Sequence, residues 1–135
     1  MARFLEMSEA TALGLHAMVL VARSDDEMVS SDSLAQSLRA SRAHLSKVLK
    51  SLSDAGLLTS KRGPNGGYSL AQSASSISLL RVYQALQGSM RLDGCLFDKP
   101  ICDQVHCFLG DLVEQVRGTV FEYLAKTTLA DASRR

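Results

Sequence analysis

The sequence lacks any apolar run that approaches the roughly 18–20 residues needed to cross a bilayer. The apolar stretch from Leu13 to Ala22 has neither a basic leader before it nor a recognisable cleavage site after it, so we expect no signal peptide. These absences predict a cytoplasmic protein with no membrane partner, in a compartment where thiols stay reduced.

The motifs of common enzymes are also missing. There is no Gly-x-Ser-x-Gly elbow, no paired-carboxylate motif and no His-Glu-x-x-His signature, and the three histidines are far apart in the chain. Internal repeats and low-complexity segments are absent as well. We therefore predict that the protein is not an enzyme.

Net charge is scarce, at +1 for the 135 residues, but it is unevenly distributed. Between Gln36 and Gln72 the only acidic residue is Asp54. The basic residues of the same stretch are Arg39, Arg42, Lys47, Lys50, Lys61 and Arg62. A basic patch of this kind is suited to contact with phosphates.

The periodicity of the apolar residues predicts mostly helices. Helices are expected over 8–23, over 33–39 with Ser33 or Asp32 as N-cap, and over 41–55, where Gly56 is placed to end the helix. The period then changes, and two short strands at 57–61 and 68–71 flank the turn sequence RGPNGG. Helical spacing resumes over 76–88 and again, as one long helix, over 107–132.

This order of elements predicts a mainly α fold with a small β-hairpin wing. We expect a winged helix–turn–helix DNA-binding domain with a supporting helix over residues 1–88 and a cysteine-bearing loop over 89–107. Residues 108–135 are predicted to form a dimerisation helix and tail, because apolar residues recur there at near-heptad spacing. The residues of this predicted seam are Leu109, Leu112, Val116, Val120 and Tyr123.

The third helix would bury its leucines and present a polar, basic side to the DNA major groove, with the hairpin beside it. The hairpin carries basic residues at its base and a glycine-rich tip that allows a close approach to the minor groove. A basic helix face that is merely solvated is the competing interpretation. The candidate DNA-binding residues are Ser41, Arg42, Ala43, His44, Ser46, Lys47, Lys50, Lys61, Arg62, Asn65, Gly66, Gly67 and Tyr68.

The stretch SRAHLSKVLKSLSDAGLLTSKRGPNGGYSLA resembles the recognition helix and wing of the Rrf family of bacterial winged-helix regulators, the group that includes IscR and NsrR. The similarity extends to LGLHAMVLVA, SISLLRVYQALQG and TTLADA. The resemblance implies that Arg62 is the DNA contact of the wing and that Ser41, Ala43 and Ser46 lie on the reading surface. The basic winged unit joined to a seam-bearing C-terminal helix predicts a homodimeric transcriptional regulator, a repressor, that binds a pseudo-palindromic operator in double-stranded DNA.

All three cysteines, Cys95, Cys102 and Cys107, lie in one short stretch, which favours a shared role for the sulfurs. The resemblance implies an iron–sulfur cluster, of the 2Fe–2S or 4Fe–4S type, on these three thiols. Its fourth ligand would be His106 or Glu9. The operator binding of the repressor would then be controlled by the cluster or by the redox state of the cysteines.

Other uses of the cysteines stay open. Zinc would accept three cysteines and His106 as a tetrahedral ligand set. A disulfide between Cys102 and Cys107 would make a thiol switch. The remaining alternative is that the thiols are reduced and have no shared role. The competing function is a zinc-stabilised or cluster-free dimeric module that binds another protein.

Overall fold

The computed structural model describes residue 5 and residues 7–25, 27–92, 94–97, 99–103 and 107–135. It is mainly helical with a single antiparallel hairpin in that part of the chain, as predicted. In chain order the elements are α1 (Glu9–Ala22), α2 (Ser31–Leu38), α3 (Arg42–Asp54), β1 (Leu58–Lys61), β2 (Gly67–Leu70), a short 3-10 helix (Ala74–Ser76), α4 (Leu79–Gln87), α5 (Gly110–Lys126) and α6 (Leu129–Ser133).

Serine side chains fix the starts of the first four helices. The hydroxyl oxygens of Ser8, Ser30, Ser41 and Ser78 each accept a hydrogen bond from a backbone N–H in the first turn of the helix that follows. The prediction of Ser33 or Asp32 as the cap of α2 is therefore wrong, because the helix begins earlier and is capped by Ser30.

The apolar faces of α1, α2, α3 and α4 meet in one core. The predicted inner face of α3 is confirmed, since Leu45, Val48, Leu49 and Leu52 are all buried. Gly56, just beyond α3, has a φ of 76°, the left-handed conformation expected of a helix-ending glycine. We call the unit formed by α1 to α4, the hairpin and α6 the head.

The hairpin is joined to the start of α2. Leu58 pairs with Leu70 and Lys61 with Gly67 in the register of the two strands. Val29 and Tyr68 exchange two backbone hydrogen bonds of 2.8 Å, which extend the hairpin by one more rung. A Cβ atom on Gly67 would lie 2.4 Å from the carbonyl oxygen of Val29, so only glycine allows this close approach.

The C-terminal region is two helices rather than the single helix predicted over 107–132. The helix α5 ends at Lys126, and Thr128 starts α6 with a capping box in which its side chain and that of Asp131 satisfy each other's backbone N–H groups. Leu129 is fully buried in the core of the head. The Arg23 side chain also donates to the carbonyl oxygens of Ser133 and Arg135, which fastens the C-terminus to α1.

The helix α5 packs against α4 and buries Val113, Arg117 and Leu124. Next to this buried face lies the predicted apolar seam, and it stays accessible: Leu112 is 47% exposed and Tyr123 is 50% exposed. None of the helices in the described ranges combines the length and apolar character that a membrane span requires.

Candidate nucleic-acid interface and cysteine segment

A polar groove runs between the start of α2, the outer side of α3 and the hairpin. Its volume is about 640 Å³. Main-chain and side-chain groups from all three elements reach it because the Val29–Tyr68 rung holds the hairpin against α2. The lining residues are Ser30, Ser31, Asp32, Lys50, Ser60, Lys61, Arg62, Gly63, Pro64, Gly66, Gly67 and Tyr68.

Six of the predicted DNA-binding residues therefore line this groove. They are Lys50, Lys61, Arg62, Gly66, Gly67 and Tyr68. The others lie on the accessible side of α3 or at the hairpin tip. Arg42, Ala43, Ser46, Lys47 and Asn65 are exposed, Ser41 caps α3 by accepting from the His44 N–H at 3.1 Å, and the His44 side chain is half-buried.

Six groove residues are absent from the predicted set: Ser30, Ser31, Asp32, Ser60, Gly63 and Pro64. Three of them, Ser30, Ser31 and Asp32, come from the start of α2, ahead of the helix predicted over 33–39. The contact between Val29 and Tyr68 brings the start of α2 next to the hairpin. No local sequence pattern predicts a contact between residues so far apart in the chain.

Two exposed ion pairs involve candidate DNA-binding cations. The Arg42 Nη2 atom lies 3.1 Å from the Asp32 Oδ1 atom, and the Lys50 Nζ atom lies 2.9 Å from the Asp54 Oδ2 atom. The hydrogen bond with Asp54 raises the pKa of Lys50. Within the described part of the chain, Lys61 and Arg62 form no ion pair.

We call residues 94–109 the cysteine segment. Its three cysteines are free thiols, with Cys95 half-buried and Cys102 and Cys107 exposed. Together with Gly94 and Gly110 they line a cavity of about 200 Å³. The Phe97 N–H donates to the Cys95 Sγ atom at 3.4 Å, a contact of the kind that tunes ligating sulfurs.

The thiols share a cavity without forming a closed coordination site. Among the residues described, no three His, Cys, Asp or Glu side chains are grouped closely enough to hold a metal ion. Glu9, the first residue of α1, is exposed and belongs to no such group. His106, the other candidate fourth ligand, lies outside the described residues.

A second, apolar cavity of about 390 Å³ adjoins the same thiols. Phe97, Ile101, Phe108 and Val113 contribute to its walls. Ile101 is 80% exposed and Phe108 is 92% exposed, so much of this apolar surface faces solvent in the single chain.

A helix–turn–helix whose third helix packs beside a two-stranded hairpin defines a winged-helix protein. The chain belongs to the Rrf2 family, described as iron-dependent transcriptional regulators, whose sequence profile matches residues 7–135. This confirms the resemblance stated from the recognition-helix and wing sequences, and the fold class with it.

Individual relatives agree with this assignment. The chain is 28% identical over 136 residues to a Lactococcus lactis protein designated an HTH-type transcriptional regulator, YffB, covering 96% of this chain and 87% of the relative. The structure of CymR, the global cysteine regulator of B. subtilis, matches with a TM-score of 0.80 at 27% identity, covering 96% of this chain and 97% of CymR. T. potens IscR matches with a TM-score of 0.73 at 29% identity, covering 96% and 87% of the two chains.

The protein is therefore a transcriptional regulator rather than an enzyme, and its class supports DNA as a partner. The prediction against enzymatic function is confirmed by the family and its relatives.

Proposed function

We propose that this regulator binds double-stranded DNA through the groove and the exposed side of α3, acts as a homodimeric repressor on a pseudo-palindromic operator, and is controlled by an iron–sulfur cluster on its three cysteines. The observation that carries the DNA-binding part is the convergence of Lys50, Lys61 and Arg62, from two different elements, on one groove. Solvated basic residues without a shared role have no reason to line the same concave surface.

The proposed contacts divide between the two DNA grooves. The N-terminal part of α3, with Ser41, Arg42, Ala43, Ser46 and Lys47, enters the major groove, which admits one helix and presents distinguishable base edges. The hairpin meets the backbone and the adjoining minor groove, where an arginine such as that at position 62 is favoured if the groove is narrow.

The backbone N–H groups at the start of α2 supply a further contact in this arrangement. Ser30 and Ser31 stand there at the edge of the groove. The N-terminus of a helix attracts phosphate, because its first N–H groups have no partner within the helix and the helix dipole favours negative charge. This site fixes the register of the protein on the DNA without reading sequence.

The exposed apolar side of α5 supports the homodimer. Leu112 and Tyr123 lie about three turns apart on one side of α5, and the half-buried Val116 and Val120 lie between them. Water is a poor solvent for such a stripe, and packing two copies of α5 across a two-fold axis would bury it. The same axis would place two heads on the two halves of a pseudo-palindrome.

The chemistry and space at the cysteines suit a cluster. Thiolates are the usual ligands of iron in clusters, and the three thiols line a cavity of about 200 Å³, several times the roughly 30 Å³ that a single water occupies in the liquid. When bound, such a group would respond to oxidants or to iron supply by changing its charge or by leaving. The candidates for the fourth ligand of the cluster are His106 and Glu9.

The chain connects the cysteines to the head on both sides: α4 ends at Gln87, eight residues before Cys95, and α5 begins at Gly110, three residues after Cys107. A bound group that holds Cys95, Cys102 and Cys107 at fixed separations would restrict where α5 begins. It shifts the regulator between two arrangements only to the extent that it binds one of them more tightly.

A salt titration tests the DNA-binding part. Anaerobically purified protein is mixed with a sequence-randomised duplex pool, the bound fraction is enriched and sequenced, and the affinity for the enriched duplex is measured by gel shift over a range of salt concentrations. We expect the logarithm of the affinity to fall linearly with the logarithm of the salt concentration. Absence of salt-sensitive binding in both the cluster-loaded and the cluster-free forms would contradict the proposal.

One observation favours a second candidate, a zinc-stabilised or cluster-free dimeric module that binds another protein. It is the exposure of Ile101 and Phe108 beside the thiols, since apolar surface of this kind marks protein contacts. Metal and sulfide analysis separates the two: zinc without iron or sulfide, together with no DNA affinity, would select this alternative. A Cys102–Cys107 disulfide switch would instead appear as loss of two titratable thiols on oxidation.

A further inference from the structure

The ion pair between Asp32 and Arg42 joins the first turns of α2 and α3. Its two side chains are exposed, at 63% for Asp32 and 76% for Arg42. Exposed pairs of this kind contribute only about 0–1 kcal/mol to stability, because water screens the charges and the side chains lose freedom. A role in folding therefore gives little reason for this pair.

Asp32 occupies an unfavourable place for a residue of a phosphate-binding surface. It lines the same groove as Lys50, Lys61 and Arg62, and it is the acidic residue of that lining. A carboxylate there repels DNA phosphates, and this repulsion lowers the affinity for every sequence alike. Its presence needs a compensating effect on DNA recognition, such as higher specificity for one sequence.

This compensating effect would act through Arg42, the partner of Asp32 in the ion pair. It is the first residue of α3, the helix proposed to enter the major groove. Its guanidinium is a planar fork with five N–H donors, and the pair with Asp32 engages the Nη2 atom. The remaining donors can still form the bidentate contact to guanine O6 and N7, the commonest specific arginine contact in DNA recognition.

We propose that Asp32 is a positioning residue for sequence specificity: it holds the Arg42 guanidinium towards a guanine edge and away from the phosphate backbone. This inference rests on the proposed DNA-binding function and deepens it. Without the carboxylate, the flexible arginine would pair with a phosphate, which every sequence offers.

The test compares Asp32→Asn with the unchanged protein on two duplexes, the enriched duplex described above and a scrambled duplex of the same composition and length. We expect the ratio of the two affinities to fall by about tenfold, the scale of one bidentate base contact. On the scrambled duplex we also expect a steeper plot of log affinity against log salt concentration. Its negative slope should grow by about one, because Arg42 gains a phosphate contact. Thermal unfolding should be nearly unchanged, since both side chains are exposed.

Asp54→Asn is the matched control. It removes the same charge from the other exposed pair, between Asp54 and Lys50, and Asp54 does not line the groove. We expect this variant to raise the affinity for both duplexes by a similar factor and to leave their ratio unchanged. Equal effects of the two variants on the ratio would overturn the inference, because a general change in charge would then explain them.

A double-mutant cycle tests whether Asp32 acts through Arg42. In an Arg42→Ala background, Asp32→Asn should leave the affinity ratio unchanged, whereas Arg42→Lys should lose the preference for the guanine even with Asp32 present. An effect of Asp32→Asn that persists without Arg42 would overturn the positioning role alone. Failure of the unchanged protein to show salt-sensitive binding would remove the proposed function and this role with it.

Discussion

The head and the cysteine segment differ in how far their apolar side chains are buried. In the head, Leu34, Leu49 and Leu129 are fully buried. In the cysteine segment, Ile101 is 80% exposed and Phe108 is 92% exposed. The head therefore buries apolar side chains within a single chain, whereas the described residues of the cysteine segment leave apolar surface exposed that another molecule or a bound group could cover.

The polar groups differ in the same way. Three cations of the head, Lys50, Lys61 and Arg62, line one groove because hydrogen-bonded helices and a hairpin hold their backbones in place. The sulfurs of the cysteine segment face a common cavity, but the described residues do not close into a metal-binding group. The chain alone therefore shapes the proposed DNA-binding groove, whereas the proposed cluster site would be completed only on binding of the cluster.

The largest expected effect is on the cysteine segment. Cys102→Ala should abolish the iron and sulfide content and the visible absorption of anaerobically purified protein, because one thiolate ligand is lost. The unfolding transition of the head should remain. Lys99→Ala, an exposed change in the same segment, is the control and should retain the cluster. A full cluster in the Cys102 variant would assign the ligands to other residues.

The next effect concerns the surface that the single chain leaves open. Leu112→Asp should raise the dimer dissociation constant about a hundredfold, roughly 3 kcal/mol, because the interface would bury an unpaired charge. Sedimentation equilibrium measures this constant. Ala125→Asp is the control, since Ala125 is exposed and lies on roughly the opposite side of α5 at 100° per residue. Similar association of both variants would contradict a dimer built on this face.

Two substitutions to alanine, one in each region, compare how much buried side chains contribute to stability. Leu129→Ala should lower the free energy of unfolding by about 2–5 kcal/mol, because it leaves a cavity in the core of the head. Ile101→Ala in the cysteine segment should change it by less than about 0.5 kcal/mol. Urea unfolding of the cluster-free protein measures both. Equal losses would mean that the two regions do not differ in packing as described.

The smallest of these effects is on DNA affinity. Arg62→Ala should weaken binding to the enriched duplex about tenfold and reduce the salt slope by about one, because one phosphate or groove contact is lost. Lys126→Ala removes an equal charge at the end of α5, far along the chain from the groove residues, and should leave the affinity unchanged. Unchanged affinity in the Arg62 variant would remove the hairpin from DNA binding.

Local patterns in the sequence predicted much of the head. The buried face of α3 was predicted from the helical spacing of Leu45, Val48, Leu49 and Leu52, and its end was predicted from Gly56. Both predictions succeeded because helical period and backbone conformation are properties of short segments. The cap of α2 was misassigned because Asp32 and Ser33 are residue types as suited to capping as Ser30. The position of this helix start beside the hairpin depends on the contact between Val29 and Tyr68, which lie far apart in the sequence. The presence of Asp32 in the groove follows from that contact and was missed with it.

The C-terminal break was missed although a local signal exists. Thr128 and Asp131 have the spacing of a capping box, which marks a helix start. Apolar residues continue at helical spacing across the break and hide it. Similarly, the seam was predicted from its apolar residues, whereas the face of α5 that packs on α4 includes the buried Arg117 and so has no continuous apolar pattern.

Backbone hydrogen bonds fix the C-terminal end of α5 to the head. The Leu79 N–H donates to the Thr127 carbonyl oxygen and the Leu129 N–H donates to that of Ile77, both at 2.9 Å, so the C-terminal end cannot slide without breaking these bonds. The 17 residues of α5 extend about 25 Å from there towards the thiols. Because α5 also packs on α4 through Val113 and Arg117, a displacement at the sulfur end must either move α4 with it or break that packing. In a dimer built on α5, such a movement would change the separation of the two heads.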